Sequence, residues 1–453
     1  MRRNELRALN LPIADELAKR SGSRPRVRPQ ECEPYAIAGI VPALVFSPRT
    51  LAEAAKIVST ITLEGAAISI RGGGTKRYRP PHPYAVDVVL DTARCSGILE
   101  HTPADLTVTA LAGTPVAELQ DALRAHGQFF PADVPFANAS TIGGTLASGA
   151  AGALRQRYGA PRDNVLGMRV CLSDGSLAFT GSRVVKSVAG YDIHKLFVGA
   201  QGTLGLIGEV TLKVAPLPRE EAAVVARFTS CADASAVAGR IARSPLGTLA
   251  TTLHDRPSSR RIRMLGGGRD AEWSLVVRCG GTRSVVARQI DLTVSLLRQG
   301  GATGIETLDP DRVRFGWADV AEAAGGTTYP GDRFLVFSIA SLPTKVAAVC
   351  ASVADAFADV EQTAHPTTGM TYVHVPVEGA GDAARDVRRG LGRLETLCER
   401  EEHAMQILAA PPVLGRIEQP PLPPRAPVAL MRAVKAAFDP SGTFDPGRFI
   451  SGI

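Results

Sequence analysis

The 453-residue sequence predicts an α+β protein with two domains. From about residue 38 to 220, segments rich in Val and Thr alternate with shorter amphipathic patterns at helical spacing. From 221 to about 410, two rounds of a strand and a long alanine-rich helix predict an antiparallel sheet with helices on one face. We therefore expect a first domain over 38–220, a second over 221–425, and a C-terminal segment over 426–453.

Local signals place the first elements of this fold. Residues 47–65 predict a helix that starts at a Ser-Pro pair and stops at a glycine. The apolar run 67–71 predicts a strand. A second helix is expected with Thr114 as its N-cap and an end near Gly127. Asp174–Gly175 predicts the turn of a β-hairpin.

Residues 1–37 are expected to form a basic leader that is either helical or loose. Its first 30 residues hold eight basic and three acidic side chains, so they account for +5 of the formal net charge of +7. A basic tail of this kind is usually solvated or docks against a partner. Because the rest of the chain is nearly balanced, the charge does not indicate a nucleic-acid-binding protein.

Composition excludes several other classes of protein. No apolar run approaches the roughly 18 residues that a membrane span needs, and the N-terminus lacks the apolar core of a signal peptide. The seven cysteines are scattered and contain no C-x-x-C pair. Neither a zinc site nor an iron–sulfur cluster is therefore expected, and free thiols in a reducing cytoplasm fit best.

Glycine-rich segments carry the strongest functional signal. In "AISIRGGGTKRY" (67–78) a strand runs into three consecutive glycines, and successive free N–H groups of this kind form an anion-binding nest. The alternative is an ordinary glycine turn at a strand end. Three more glycine-bearing segments, 131–152, 184–210 and 439–449, favour a ligand contacted by several loops.

Two well-known phosphate motifs do not fit these segments. A P-loop needs a G-K-[ST] ending before a helix, whereas "GGGTKRYRPP" runs into prolines. A Rossmann fingerprint needs G-x-G-x-x-G and an acidic partner for the ribose, which does not follow at the right place. What remains is an extended diphosphate ligand.

The order "RGGGT … PADVP … ASTIGGTLASGAAG … VVKSVAGYDIHKLFVGAQGTLGLIGEV … DPSGTFDPGRF" resembles the vanillyl-alcohol oxidase / p-cresol methylhydroxylase (PCMH-type) flavoprotein superfamily. Within it the sequence is most similar to bacterial glycolate oxidase flavin subunits, the smaller E-type subunit in particular. The resemblance covers about residues 38–220 and 428–453. It implies a PCMH-type FAD-binding domain of two subdomains, with the second domain as a cap over the flavin.

The resemblance also implies a set of flavin-contacting positions. Those of the diphosphate loop are Arg71, Gly72, Gly73, Gly74 and Thr75. Those of a second run are Asp133, Ser140, Thr141, Gly143, Gly144, Ser148 and Gly149, and further contacts fall on Arg157 and Ile207. Arg448, in the C-terminal segment, is a candidate for contact with either the flavin or the substrate.

Four other positions in this resemblance bear on the cofactor. Lys186, Tyr191 and Asp192 lie in the third glycine segment, and we expect them to brace the loop by hydrogen bonds rather than to take part in chemistry.

Covalent members of the family carry a histidine at the end of the glycine loop, where this chain has Thr75. Because threonine cannot form the histidyl–flavin bond, the FAD is expected to be bound non-covalently.

Candidates for catalysis lie in the second domain. If 369–375 is a strand, Met370, Tyr372 and His374 share one face, and that face would point at the flavin. The alternative is a cap strand with one half-buried histidine. For the substrate carboxylate the candidate is Arg314, in a strand-like alternation over 311–319, with an exposed charged strand face as the alternative.

A metal is not expected. The 2-hydroxy-acid members of the family carry a signature similar to H-x-G-D-G-N-x-H. This chain has His365 and His374 at the corresponding place in the sequence, but the two histidines are farther apart and the D-G-N core is missing. Two histidines without an acidic partner do not make the ligand set that a divalent metal needs.

The resemblance implies an FAD-dependent oxidoreductase acting on a small 2-hydroxy acid, glycolate or D-lactate. Electrons would leave through partners, namely a paralogous flavin subunit and an iron–sulfur subunit, with the chain in the cytoplasm or peripheral at the inner membrane through those subunits. Two alternatives stay open. One is a flavin-binding structural subunit with little activity alone, and the other is a sugar or alditol oxidase.

Overall fold

The structure is a computed structural model. It describes residues 11–76, 78–183, 190–266, 271–325, 333–377, 381–415, 417–420 and 427–453. In this part of the chain no helix combines the length and the hydrophobicity needed to cross a bilayer. Each of the seven cysteines is a free thiol, as expected from their scattered positions.

The first domain is built on two sheets. A parallel sheet has three strands, in the spatial order Leu44–Phe46, Val88–Asp91 and Ile68–Arg71. An antiparallel sheet has five, in the order Ile98–Thr102, Thr107–Leu111, Leu206–Lys213, Val165–Cys171 and Leu177–Gly181. A short pair joins Gln128–Phe129 to Ala215–Pro216.

Helix Leu51–Leu63 lies between these two sheets. Its apolar side chains pack with the parallel sheet, and Cys171 and Leu206 of the antiparallel sheet complete the same core. The other helices of the domain are short: Val116–Arg124, Ile142–Ser148, Arg155–Tyr158 and His194–Phe197. The hairpin predicted at Asp174–Gly175 is present, because Leu172 N–H donates to the carbonyl of Ser176.

Two helix starts differ from the sequence-based expectation. The first helix begins three residues later than Ser47–Pro48 predicted, because Thr50 is its N-cap and accepts a hydrogen bond from Glu53 N–H. The second begins at Val116, and the hydroxyl of Thr114 bonds the backbone of Gly97 instead of capping the helix.

The described part of the leader is folded onto the first domain. Helix Leu11–Ser21 buries Ala14 and Leu17 against helix Leu51–Leu63. A short helix, Pro29–Cys32, follows. Of the two forms expected for the leader, the helical one is therefore found over 11–21, where Ala14 and Leu17 join the core of the first domain. Residues 1–10 lie outside the described residues.

The second domain is one eight-stranded antiparallel sheet. Its strands, in spatial order, are Gly304–Leu308, Glu220–Phe228, Trp273–Gly281, Ala250–Asp255, Glu361–His365, Met370–Pro376, Phe334–Ala340 and Ala404–Ala409. The predicted helices cover one face of it: Cys231–Arg243, Arg283–Gln299, Val346–Ala356 and Asp382–Arg400.

The opposite face of this sheet is turned toward the first domain. It packs against helices Arg256–Arg261 and Pro310–Ala323 and against Ala153 and Leu154 of the first domain. Tyr372 lies on this face, and its hydroxyl donates to the carbonyl of Ala151 at 3.1 Å. The predicted strand is present as Met370–Pro376, so Met370, Tyr372 and His374 share the face that meets the first domain.

The C-terminal segment crosses back to the first domain. Helix Val428–Phe438 packs against Phe197 through Phe438, whose ring lies 5.4 Å away. Beyond it the chain runs beside strand Ile68–Arg71, where Ile68 N–H donates to Thr443 and Asp445 N–H donates to Ile68. Most of the proline-rich 418–427, predicted as a linker, lies outside the described residues.

Candidate functional site

A cleft, open at its mouth, runs along the carboxyl end of the parallel sheet. One wall is the glycine loop that follows strand Ile68–Arg71. The facing wall is helix Ile142–Ser148. Residues 35–37 of the leader cover one end, and Arg448 of the C-terminal segment closes the base.

The three glycines of the loop are required by close backbone contacts. A Cβ atom on Gly72 would overlap the hydroxyl of Thr141, and one on Gly73 would overlap the backbone carbonyl of Ala139. Gly74 has φ of +70°, in the left-handed region that side chains avoid. Their bare backbone therefore lies directly against the facing wall and leaves the N–H groups accessible to an anion.

The facing helix is held by its own small residues. Thr141 is its N-cap and accepts a hydrogen bond from Gly144 N–H at 3.2 Å. Gly143 packs on Ala112, whose Cβ would lie 2.7 Å from a Cβ at that position. Gly149 ends the helix in the left-handed conformation, with φ of +63°. Small side chains thus bring this helix close to both the cleft and the antiparallel sheet.

Tyr35 forms the covered end of the cleft. Its ring lies between two guanidinium groups, 4.6 Å from that of Arg71 and 5.2 Å from that of Arg26. Its hydroxyl donates to the carboxylate of Asp91 at 3.0 Å, and burial and that carboxylate raise the pKa of Tyr35. These contacts fix an aromatic face at one end of the cleft.

The base of the cleft is electropositive. Lys76, Arg79 and Arg448 all line it. Burial and the neighbouring Arg79 lower the pKa of Lys76 to about 8, and burial and Arg448 lower the pKa of Arg79 to about 10. Asp445 is fully buried and accepts a hydrogen bond from Arg448 at 3.2 Å. The cleft therefore holds more positive than negative charge.

Most of the positions implied to contact the flavin line this one cleft. They are Arg71, Gly72, Gly73, Gly74, Thr75, Ser140, Thr141, Gly144, Ser148 and Arg448. Within this set the hydroxyls of Thr75 and Ser140 are 3.2 Å apart and link the two walls.

The remaining implied positions do not line the cleft. Gly143 and Gly149 shape the helix behind it. Ile207 is buried in the core of the antiparallel sheet. Arg157 borders a separate surface depression together with Gly247.

Asp133 also lies outside the cleft and connects the two domains. Its carboxylate accepts hydrogen bonds from Leu154 N–H and from the indole N–H of Trp317, both at 2.7 Å. Burial raises the pKa of Asp133. The structure therefore places Asp133 where it positions the second domain and not where it would touch a ligand in the cleft.

The strand predicted around Arg314 is wrong, because 310–323 is a helix. Asp309 caps it by accepting from Arg312 N–H at 2.9 Å, and Pro310 occupies its first turn. Val313 and Trp317 are buried at helical spacing, which leaves Arg314 exposed and outside the cleft lining.

His365 and His374 of the second domain are both buried. His374 lies 6.4 Å from the ring of Phe334, and His365 lies 5.2 Å from the ring of Tyr372. Burial lowers the pKa of His365 to about 4 and raises that of Tyr372 to about 12. Within the described residues no group of three or more His, Cys, Asp or Glu could hold a metal ion.

The third glycine segment is only partly described. Lys186 lies outside the described residues. Tyr191 is 88% exposed, and Asp192 pairs with Lys195 at 2.5 Å. Neither described residue borders the cleft.

Sequence reasoning missed several cleft residues. Lys76 and Arg79 directly follow the glycine loop, and their two positive charges in "TKRYRPP" were a usable signal. Tyr35 had no such signal, because its position depends on contacts with residues far away in the chain.

Comparison with family models covers both domains. Residues 42–181 match the FAD binding domain, and residues 217–387 and 424–449 match the C-terminal domain of FAD linked oxidases. Among curated proteins, glycolate oxidase subunit GlcD of Bacillus subtilis is 25% identical over 430 residues, which cover 91% of this chain and 89% of that protein.

Two further relatives match over shorter stretches. Glycolate oxidase subunit GlcE of Escherichia coli is 39% identical over 154 residues, covering 33% of this chain and 43% of the relative. A mitochondrial D-lactate dehydrogenase [cytochrome] of Arabidopsis thaliana is 34% identical over 227 residues, covering 50% and 40%. Each of these two alignments spans less than half of the relative.

Solved structures show the same fold. The 4-ethylphenol oxidase of Gulosibacter chungangensis superposes with a TM-score of 0.73 at 18% identity, covering 98% of this chain and 97% of that one. The PCMH-type architecture expected from the glycine segments is therefore confirmed.

Proposed function

The chain belongs to the FAD-linked oxidases, and we propose that it oxidises a small 2-hydroxy acid, glycolate or D-lactate, at an FAD held in the cleft. The observation that carries this proposal is the cleft itself, in which a side-chain-free loop at one wall meets a surplus of positive charge at the base. A diphosphate suits the loop, and a carboxylate substrate suits an electropositive cleft. The match to a glycolate oxidase subunit over nearly the full chain supports the substrate class.

In this proposal the chain's own residues bind and orient. Gly72, Gly73 and Gly74 line the cleft, and their N–H groups would hold the diphosphate. Tyr372 bonds the carbonyl of Ala151 and so holds the second domain against the first. FAD, when bound, supplies the acceptor for the hydride that leaves the substrate carbon.

The proton of the substrate hydroxyl needs an acceptor, for which we retain His374 on the same sheet face as Tyr372. Tyr372 itself is unsuited to that task, because burial raises its pKa to about 12 and keeps the phenol protonated. Arg314 is left out of the proposal, since its side chain is exposed.

Anaerobic reduction tests the function directly. Purified yellow protein is mixed with glycolate, D-lactate or L-lactate without oxygen, and the flavin absorbance is followed. We expect bleaching by glycolate or D-lactate, since hydride transfer to the flavin removes its visible band. Absence of bleaching by every 2-hydroxy acid would contradict the proposal, and bleaching by alditols alone would favour the sugar-oxidase alternative.

We also propose that the electrons leave through partners, a paralogous flavin subunit and an iron–sulfur subunit, with the protein in the cytoplasm or at the inner membrane through those subunits. The alignments with two different glycolate oxidase subunits support an assembly of this kind. The bleaching experiment repeated with and without the partner flavoprotein separates an active chain from a structural flavin subunit. Reduction only in the mixture would favour the structural subunit.

Thr75 predicts that the cofactor is dissociable. The position borders the cleft and carries a hydroxyl that bonds Ser140, so it offers no nucleophile of the histidine type. We expect acid precipitation to release all of the flavin into the supernatant. Flavin retained in the washed, denatured pellet would show a covalent link and contradict the prediction.

A further inference from the structure

We propose that Lys76, Arg79 and Arg448 form an anion subsite that binds the carboxylate of the substrate. The proposal rests on the proposed function for the identity of the anion. It also places substrate binding on the segment directly after the glycine loop, in the first domain, and not on an arginine of the cap.

The cluster carries positive charge without matching negative charge. Asp445 is the carboxylate that contacts it, and it is already bonded to Arg448. Among the described residues neither Lys76 nor Arg79 has a carboxylate within ion-pair distance. Arg79 is buried, and because a buried charge is costly unless it is paired, this arrangement calls for an anion from outside.

The guanidinium groups of Arg79 and Arg448 have N–H donors that no described residue accepts from. Arg79 is 5% exposed, and the hydrogen bond of its guanidinium to the described residues runs from Nη1 to the carbonyl of Ser148 at 3.2 Å. The Nε–H groups of Arg79 and Arg448 are buried without a partner in the described structure. Guanidinium donors in this state suit the two oxygens of a carboxylate.

The facing helix separates Arg79 from the diphosphate loop. Gly72 contacts Thr141 at the N-terminal end of helix Ile142–Ser148, whereas Arg79 contacts Ser148 at its C-terminal end. Seven residues at 1.5 Å each span about 10 Å. A phosphate held by the loop beside Thr141 would thus lie about one helix length from the Ser148 carbonyl that Arg79 bonds, which leaves that guanidinium for a second anion.

The cluster also lies where the two domains meet. The carbonyl of Tyr78 accepts from Ala410 N–H at 3.1 Å, and that of Pro80 accepts from the side chain of Gln419. Both partners follow the last strand of the second domain. The segment that carries Lys76 and Arg79 therefore borders the second domain, where the proposed cap would cover a substrate.

Binding of a redox-inert dicarboxylate tests the subsite. FAD-loaded protein is titrated with oxalate, and the shift of the flavin visible spectrum gives the dissociation constant. The variants are Lys76→Met and Arg79→Gln, and the control is Lys213→Met at an exposed strand end away from the cleft. We expect binding at least about ten-fold weaker in each of the two variants, the size of a lost charge-assisted hydrogen bond, and no change in the control.

The pH dependence adds an independent readout. Lys76 faces Arg79 and Arg448, with Asp445 behind them and Arg71 and Tyr35 on the walls. Its low pKa of about 8 means that the ammonium is lost as the pH rises through that value. Oxalate binding should weaken above pH 8 in the wild type, and Lys76→Arg should abolish that loss because arginine stays protonated.

Flavin content measured on the same samples shows whether the cluster binds the diphosphate of FAD or the carboxylate of the substrate. If Arg79→Gln loses FAD affinity but binds oxalate like the wild type once loaded, the cluster serves the diphosphate and the proposal is overturned. If oxalate binding depends on the cluster but no 2-hydroxy acid bleaches the flavin, the subsite stands and the proposed function fails. If a 2-hydroxy acid bleaches the flavin but both variants bind oxalate like the wild type, the subsite is rejected and the proposed function stands.

Discussion

Substituting Gly73 with alanine is expected to give a protein without bound flavin. A Cβ at this position would overlap the backbone carbonyl of Ala139, which begins the run leading into helix Ile142–Ser148 and cannot move aside as a flexible side chain could. The glycine loop must therefore shift away from the facing wall. Overpacking of this kind costs about 1–3 kcal/mol, which corresponds to FAD binding weakened about five- to 150-fold.

Absorbance near the flavin band and calorimetric titration of the flavin-free protein with FAD measure this effect. Far-ultraviolet circular dichroism shows whether the variant is folded. A matched control is Gly392→Ala, in helix Asp382–Arg400, where a Cβ meets no atom within 4 Å. Alanine favours a helix over glycine by about 1 kcal/mol, so the control should keep its flavin and be slightly more stable. A yellow Gly73→Ala protein with wild-type affinity would show that the loop is not the diphosphate site.

The glycine loop could be predicted from the sequence because glycine itself is the signal: the loop depends on the absence of side chains. Three side chains are absent at 72–74, and each absence corresponds to a contact or a φ angle that a side chain would forbid. The antiparallel sheet of the second domain was also predictable from local patterns. Its strands alternate along the chain with helices that have a clear apolar face.

The segment 311–319 predicts a strand only when a few residues are considered, and the structure has helix Pro310–Ala323 there. Over Arg312, Val313 and Arg314 a polar–apolar alternation looks like period 2. Over the full segment the buried positions Val313, Gly316, Trp317 and Val320 follow the helical period. The Asp-Pro start was also present as a capping signal.

Other parts of the site depend on contacts between residues that are distant in sequence. Asp133 bonds Trp317 of the other domain, and Tyr35 bonds Asp91. No local pattern marks either pair, because the partners become neighbours only when the sheets assemble. The positive cluster shows the same limit, since Arg448 joins Lys76 and Arg79 from the opposite end of the chain.

The second large effect is expected at Asp445, which joins the C-terminal segment to the strand before the glycine loop. Its carboxylate accepts from the hydroxyl of Ser69 at 2.5 Å, from Ile70 N–H at 3.3 Å and from Arg448 at 3.2 Å. Asp445→Asn keeps the shape, and asparagine tolerates the φ of +41° found there. It removes the negative charge that faces Arg448.

We expect Asp445→Asn to lower the free energy of unfolding by about 3–5 kcal/mol, the usual cost of leaving one member of a buried ion pair without its partner. Urea unfolding of the flavin-free protein measures it, because bound FAD would add its own stabilisation. The exposed pair of Asp382 and Arg385 provides the control, and Asp382→Asn should change the stability far less.

A double-mutant cycle identifies the cause of that loss. If Asp445 stabilises the fold by neutralising Arg448, removing the guanidinium as well should recover part of the stability. The double variant with Asp445→Asn and Arg448→Met should then lose less than the sum of the two single variants, by more than about 0.5 kcal/mol. Additive losses would mean that Asp445 acts through Ser69 and Ile70 alone, and that the strand before the glycine loop is held by hydrogen bonds instead of by charge.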